Sequence, residues 1–338
     1  MDTRLKGARW PVARVPGEGD GGQGERLSVY RWCAWGWLMA LALLVLAGTA
    51  AAEDRPVRFA VAKLATPVFK IPDFVGLFGG NDGKTLTVDR CFQIRSLEFI
   101  ALPGTVFTIE GVIHRFPSIV YRVTTADYPF ATKTGYYLDS RFVTLTPSRR
   151  AERFRSLPPR QEVIERLLAA QGTPYLWGGN LRGGIPQMLA LYPPAEAVVL
   201  ASVMRNVWQL RGLDCSGLLY EATGGCTPRN TSALITYGKP VRIAGLGVEQ
   251  IIKRVEPLDL IAWEGHVVIV LDRERAIESR LDCSGSGGGV EVRPLREVLA
   301  AVLASRVPVD DYRSLKAKGR KGFVIRRWYG QVPRSPDS

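Results

Sequence analysis

Asp214-Cys215-Ser216-Gly217 places a thiol at the junction between a loop and an expected helix, and the reading of the fold starts from it. A helix beginning near Asp214 points its unpaired N–H groups and the positive end of its dipole at Cys215, which stabilises negative charge on the sulfur. The thiolate is the nucleophilic form of cysteine, so the arrangement points to thiol chemistry. The chain has two histidines, His114 and His266, so an imidazole base for Cys215 is one of these.

His266 opens the run Val267-Val268-Ile269-Val270-Leu271, a buried strand by composition. Ala276-Ile277-Glu278-Ser279 returns beside it after the polar turn Asp272-Arg273-Glu274-Arg275, the simplest reading being a hairpin. An even separation of twelve residues sets His266 and Glu278 on one face if the loop is odd in length. Glu278 is then the expected orienter of the imidazole. A carboxylate on one ring nitrogen selects the tautomer and stabilises the imidazolium of a thiolate/imidazolium pair. Asp272 and Glu264 are nearer in sequence but fall in the turn and before the strand.

Asp282-Cys283-Ser284-Gly285 repeats the tetrapeptide in a different context. The glycines that come after it disfavour a helix, so Cys283 is expected to be a loop cysteine without a dipole behind it.

At 338 residues the chain suits two domains. Its first 25 residues are rich in Gly, Arg and Pro, and Trp35–Ala47 is almost wholly apolar after Arg26 and Arg31. This reads as an export signal with Ala50-Ala51-Ala52 as the cleavage region, giving a leader over 1–52 and a mature start near Glu53. The run is short for a membrane span of about 20 residues, so membrane association is expected only if that segment is left uncleaved. Cys33 precedes the apolar run, which disfavours a lipoprotein. Residues 1–52 hold six Lys/Arg and four Asp/Glu, so their removal lowers the net charge from +13 to +11. In an exported protein such charge favours anionic wall polymers or membrane surfaces over nucleic acid. With Cys215 free, Cys91, Cys226 and Cys283 allow at most one disulfide, for which Cys226 with Cys283 is the expected pair. The cysteine and histidine spacings fit no metal site, and no cofactor is expected.

From 55 to 147 short β-prone runs alternate with turn signals: Val57–Ala65, Thr85–Val88, Phe92–Ile94, Thr105–Ile113, Ile119–Thr124 and Arg141–Leu145. The pattern predicts a small all-β barrel. Pro147-Ser148-Arg149-Arg150 is the expected linker, and Glu162–Ala170 has the spacing of an amphipathic helix closed by Gly172. Ala195–Leu210 and Leu295–Ala304 read as helices, and Val290–Val292 and Phe323–Ile325 as strands. A second domain is placed over 155–330, with helices first and strands later.

Pro174-Tyr175-Leu176-Trp177-Gly178-Gly179, Asp214-Cys215-Ser216-Gly217-Leu218, Pro228-Arg229-Asn230-Thr231-Ser232, Pro257-Leu258-Asp259-Leu260-Ile261-Ala262-Trp263 and Gly265-His266-Val267-Val268-Ile269 resemble, in order, the motifs of NlpC/p60-type cell-wall cysteine peptidases. Val61–Phe69 and Gly135–Val143 resemble the opening and closing strands of bacterial SH3-like domains, in which wall or peptide binding, or shaping of an adjacent active site, is the usual role. Together they imply a papain-like α+β peptidase domain preceded by a small SH3-like barrel.

The resemblance implies Cys215 as nucleophile, His266 as base and Glu278 at a third position more often occupied by His, Asn or Gln. It implies that Tyr175 lines the site, that Asp214 and Ser216 meet the substrate's free amine, and that Arg229 sits at a frequent basic position. The 34 residues between Gly179 and Asp214 exceed the family's norm and are expected to form a lid or narrow the cleft. The function implied is an exported, wall-associated hydrolase of peptidoglycan stem peptides, cutting between D-glutamate and the diamino acid. The alternatives are a catalytically silent wall-binding protein and a thiol acyl or amide transferase.

Overall fold

The described strands form two main sheets. The computed structural model describes residues 58–80, 82–195, 201–284, 287–313 and 321–330. The expected export signal and the residues 196–200 of the expected helix over 195–210 lie outside these. Among the described residues no helix is long and apolar enough to cross a membrane.

The first sheet holds β1 (Arg58–Ala62), β2 (Thr66–Phe69), β3 (Leu97–Ala101), β4 (Val106–Arg115), β5 (Ser118–Thr124), β6 (Tyr136–Asp139) and β7 (Val143–Thr146), all antiparallel in the order β3-β2-β6-β5-β4-β1-β7. The all-β expectation describes this region, but closure into a barrel does not: the ladders run as an open path with β3 and β7 at its edges. One edge has another partner. The N–H of Ile100 on β3 donates to Asn180 Oδ1 at 2.9 Å, and Asn180 Nδ2 donates back to the Ile100 carbonyl at 2.8 Å. A side-chain amide here stands in for a neighbouring strand and satisfies an edge otherwise open to pairing.

Two expected strands, over 85–88 and 92–94, are turns instead. Asp82 accepts from the backbone N–H groups of Lys84 and Thr85, and Asp89 accepts from those of Cys91 and Gln93. These local bonds compete with a ladder, and Phe92 adopts a φ of 57°, incompatible with extended backbone. Helix α1 (Phe74–Gly79) packs Phe74 and Phe78 on Phe69 of the sheet.

The second sheet joins β10 (Lys239–Val241), β11 (Leu260–Trp263), β12 (His266–Val270), β13 (Arg275–Asp282), β14 (Gly287–Pro294) and β16 (Gly322–Arg327) in the order β10-β16-β11-β12-β13-β14, with β15 (Val307–Pro308) parallel to β16. Its central strands are apolar on both faces because both are covered. Leu260, Ala262, Val267, Ile269, Ile277 and Val324 face α2 (Arg160–Ala169) and α5 (Cys215–Ala222). Ile261, Val268, Val270, Ala276, Phe323 and Ile325 belong to a second core with α7 (Val248–Arg254) and α8 (Leu295–Ser305). The result is a mixed α/β layer arrangement around an antiparallel sheet.

The segment between Gly179 and Asp214, expected to form a lid or narrow the cleft, is in its described residues built into a core. It contributes β8 (Asn180–Leu181), α3 (Met188–Leu191), α4 (Ser202–Trp208) and β9 (Gly212–Leu213), and its Ile185, Met188, Tyr192, Val207, Trp208 and Leu210 enter the core of the first sheet. Tyr192 stacks on Phe78 at 5.1 Å, and Trp208 Nε1 donates to the Tyr192 carbonyl at 2.8 Å. Burial of that many large apolar side chains, each contributing roughly 1.5–3 kcal/mol, makes the segment a structural bridge between the two sheets.

The disulfide pairing also differs from expectation. Cys91 is bonded to Cys283, 192 residues away, while Cys226 is free. Cys226 lies just past α5, where the charges acting on it come from Arg153 and Arg155, and not at the tip of the β13–β14 hairpin where Cys283 sits. The bond ties that tip to the turn before β3.

Candidate active site

Asp214 begins the site as a helix cap. Its backbone is extended (φ −87°, ψ −178°) and its carboxylate accepts the Gly217 N–H at 2.7 Å, satisfying an N–H group in the first turn of α5. Cys215 is the first residue of that helix and is 7% exposed. Gly217 is dictated by contact: a Cβ there would stand 2.0 Å from the Gly179 carbonyl oxygen, so any side chain would push α5 away from the loop beneath it. Gly178 answers to a related demand, having φ of +71° and a Cβ direction 2.5 Å from the Leu97 carbonyl.

Behind the cap, Arg229 is buried and all five of its N–H donors are placed. Nη1 donates to Asp214 Oδ1 at 2.9 Å and to Ser216 Oγ at 2.8 Å, and Nη2 to Asp214 Oδ2 at 2.7 Å and to the Gly179 carbonyl at 3.0 Å. Nε donates to Asn180 Oδ1 at 3.0 Å. Ser216 Oγ in turn donates to the Arg229 carbonyl at 2.8 Å. Burial works against the charge on Arg229, but the Asp214 carboxylate outweighs it and raises the guanidinium pKa.

His266 stands at the start of β12, and its Nε2 is 2.6 Å from Glu278 Oε2 on β13. The hairpin register pairs Ile269 with Ile277 and Val270 with Ala276, which sets His266 and Glu278 on the same face. Burial disfavours a protonated ring, yet hydrogen bonds and charge from Cys215 and Glu278 outweigh it and hold the His266 pKa at about 9. With Nε2 taken by Glu278, Nδ1 is left for the thiol. Burial likewise pushes the Glu278 pKa up, and its bonds to His266 and to Arg293 bring it below its ordinary value. Arg293 Nη1, on β14, donates to Glu278 Oε1 at 2.8 Å.

The loop before the histidine is anchored too. Thr231 Oγ1, in α6 (Thr231–Leu234), accepts the Gly265 N–H at 3.2 Å, and the Gly265 carbonyl lies 3.9 Å from Cys215 Sγ. The Trp263 ring flanks His266 with centroids 5.2 Å apart, and the Arg306 guanidinium covers Trp263 at 4.6 Å.

Tyr175 is half-buried beside Cys215. Burial and the nearby negative charge of Asp214 and Cys215 raise its phenol pKa. Its neighbour Trp177 donates its backbone N–H to Gln93 Oε1 at 2.8 Å and lies under the Arg95 guanidinium at 4.7 Å, so the first sheet's connecting turn forms one wall of the site. Tyr128 adds a second contact between the lobes, donating to Glu98 Oε1 at 2.6 Å and accepting from Asn230 Nδ2 at 3.1 Å.

Of the residues singled out in the sequence, Cys215, His266 and Glu278 are brought together and Tyr175 lies beside them. Asp214, Ser216 and Arg229 are adjacent but bond to one another beneath Cys215. Sequence reasoning missed Arg293 and Asn180. Arg293 carries only the signal of a charged residue alternating with Val290 and Val292 on the return strand; Asn180 comes after the Gly178-Gly179 pair and has none. Among the described residues no cluster of His, Cys, Asp and Glu is arranged to hold a metal ion.

No family model matches the sequence, and no curated protein matches it. Among solved structures, an NlpC/p60 family protein from Bacillus cereus is 16% identical, aligning over 82% of this chain with a TM-score of 0.29. The chain covers 65% of that protein, less than two thirds of its length. RipD from Mycobacterium tuberculosis, described as a non-catalytic NlpC/p60 domain protein adapted to peptidoglycan binding, is 22% identical over 40% of this chain and 86% of its own, with a TM-score of 0.27. NlpC1 from Trichomonas vaginalis is 10% identical over 80% of this chain and 69% of its own, also with a TM-score of 0.27. At TM-scores this low the likenesses carry no argument about fold or activity.

Proposed function

We propose that this protein is an exported cysteine peptidase acting on peptidoglycan stem peptides, with Cys215, His266 and Glu278 in the roles of nucleophile, base and orienter. The observation that carries the reading is the convergence of the helix-terminal thiol, the imidazole that bonds to it, and the carboxylate 2.6 Å from the ring's Nε2. Cys215 Sγ, as thiolate, attacks the amide carbon, and the His266 imidazolium gives its proton to the departing amine. The resulting thioester is hydrolysed by water that loses its proton to His266, releasing the acid and regenerating the pair. Backbone N–H groups at the start of α5 are the natural donors for the tetrahedral oxyanion, each such donor contributing roughly 3 kcal/mol.

The bond between D-glutamate and the diamino acid, and the wall as the location, are supported by the five ordered motifs and by the basic charge. The first sheet takes the role of an SH3-like module that shapes the site through Trp177, Gln93 and Asn180. Incubation of the protein from Glu53 onward with defined muropeptides should release new amine termini, and Cys215→Ala should abolish them. Persistent cleavage by that variant refutes the mechanism. Binding to wall without cleavage, and without alkylation of Cys215, establishes instead a silent wall-binding protein, a reading favoured by the inward bonding of Asp214 and Ser216.

A further inference from the structure

Glu278 departs from the neutral residue that more often holds the third position, and a buried carboxylate there has a consequence. A lone anion beside the imidazole binds its proton strongly, and an unneutralised carboxylate inside the protein is costly unless it is paired. The structure supplies the pairing. Oε1 of Glu278 accepts from Arg293 Nη1 at 2.8 Å while Oε2 meets His266 Nε2 at 2.6 Å, so each oxygen has its own partner and the carboxylate plane is fixed between two strands. Glu278 is 3% exposed, so the guanidinium and the ring are close to its whole environment.

We propose that Arg293 is a positioning residue: it pins Glu278 in the orientation that serves His266 and neutralises it, so that a carboxylate can stand where an amide or imidazole otherwise stands. This rests on the reading of Cys215 and His266 as the reacting pair.

The charged and titratable groups around the unit come from each packed element. Cys215 faces His266 from α5, Arg293 faces Glu278 from β14, and Glu291 stands opposite Glu278 in the ladder while pairing with Arg280 at 3.2 Å and, more distantly, with Arg293 Nε at 4.0 Å. Arg306 approaches through Trp263. Arg293 is therefore the cation bonded to the carboxylate oxygen that His266 leaves over. Removing it while Glu278 stays ionised leaves the ring facing a bare carboxylate, and the imidazolium should persist to higher pH. Replacing Glu278 by Gln should do the reverse and also leave the Arg293 guanidinium facing an amide.

The test is a cycle of Arg293→Gln, Arg293→Lys, Glu278→Gln and the double variant, read by NMR titration of the imidazole ring, with His114 in the first sheet as internal control for folding. Arg293→Gln should move the His266 midpoint upward and Glu278→Gln downward, with Arg293→Lys between wild type and Arg293→Gln. On muropeptides, Arg293→Gln should lower kcat about tenfold with KM changed less than about twofold, and the double variant should recover much of what Glu278→Gln loses. An unmoved His266 midpoint in Arg293→Gln with His114 undisturbed, or additive losses in the double variant, overturns the proposal. Absence of muropeptide cleavage by the wild type refutes the peptidase reading instead, and the NMR cycle still decides the positioning role.

Discussion

The chain carries the same tetrapeptide twice, and the two copies do different things. Asp214 caps α5 by accepting from Gly217, whereas Asp282 ends β13 and accepts from the backbone and hydroxyl of Ser284, a bond only two residues long. Those bonds, on an exposed carboxylate, lower the Asp282 pKa. Asp214 is gripped by the buried Arg229, whereas Asp282 feels Arg280 only across solvent. Cys215 begins a helix and touches an imidazole; Cys283 is oxidised to Cys91. The copies are separated by the residues C-terminal to each and by the packing beneath them. Leu218-Leu219-Tyr220 extends a helix into the core, whereas Gly287, Gly288 and Gly289 open strand β14.

The largest test of this contrast is at the two thiols. Cys215→Ala should cut muropeptide cleavage by about 10⁴-fold or more, while Cys283→Ser combined with Cys91→Ser should leave it within about tenfold of wild type. Comparable losses in both would erase the distinction.

Next come the cations beside each aspartate. Arg229→Met leaves Asp214 buried without its partner, and urea titration should show a loss of about 3–5 kcal/mol. Arg280→Met, at a half-exposed side chain, should change stability by less than about 0.5 kcal/mol. A similar small effect at Arg229 would mean that water reaches Asp214.

The disulfide should contribute about 2–4 kcal/mol, read as a lower denaturant midpoint in reductant for the Cys215→Ala protein, in which, among the described residues, Cys226 is the thiol outside the bond. An unchanged midpoint would show that the other contacts between the lobes, Tyr128 with Asn230 among them, hold the two sheets together without the bond.

A further effect is in pH. His266 has its folded pKa raised from 6.5 to about 9, so the protonated ring stabilises the fold fully below pH 6.5 and that contribution is lost as pH rises through about 9. Unfolding free energy should fall across this window in wild type and fall less in Glu278→Gln. Equal slopes would show that Glu278 does not hold the proton on the ring.

Much of the second sheet is legible in the sequence because its strands are covered on both faces and read as unbroken apolar runs, as Val267–Leu271 does. The His266–Glu278 pairing comes from strand periodicity and one short turn. The first lobe is less legible. Residues 85–94 have strand-like composition, but the carboxylates of Asp82 and Asp89 bond their own neighbours and make turns. The lid expected before Asp214 is an apolar bridge, since a run such as Ile185-Pro186-Gln187-Met188 does not state which core receives it.

Local chemistry is what the amino-acid order determined alone: a thiol before a helix, a histidine opening a strand, a carboxylate returning beside it, and two lobes of different composition. These arise from bonding over a few residues, where backbone period and propensity decide. The tertiary structure decided the rest. Cys91 meets Cys283, Asn180 serves both Ile100 and Arg229, and Arg293 takes the oxygen of Glu278 that His266 leaves over. Each joins strands or lobes whose mutual placement depends on the packing of both cores, and no local rule of spacing encodes that.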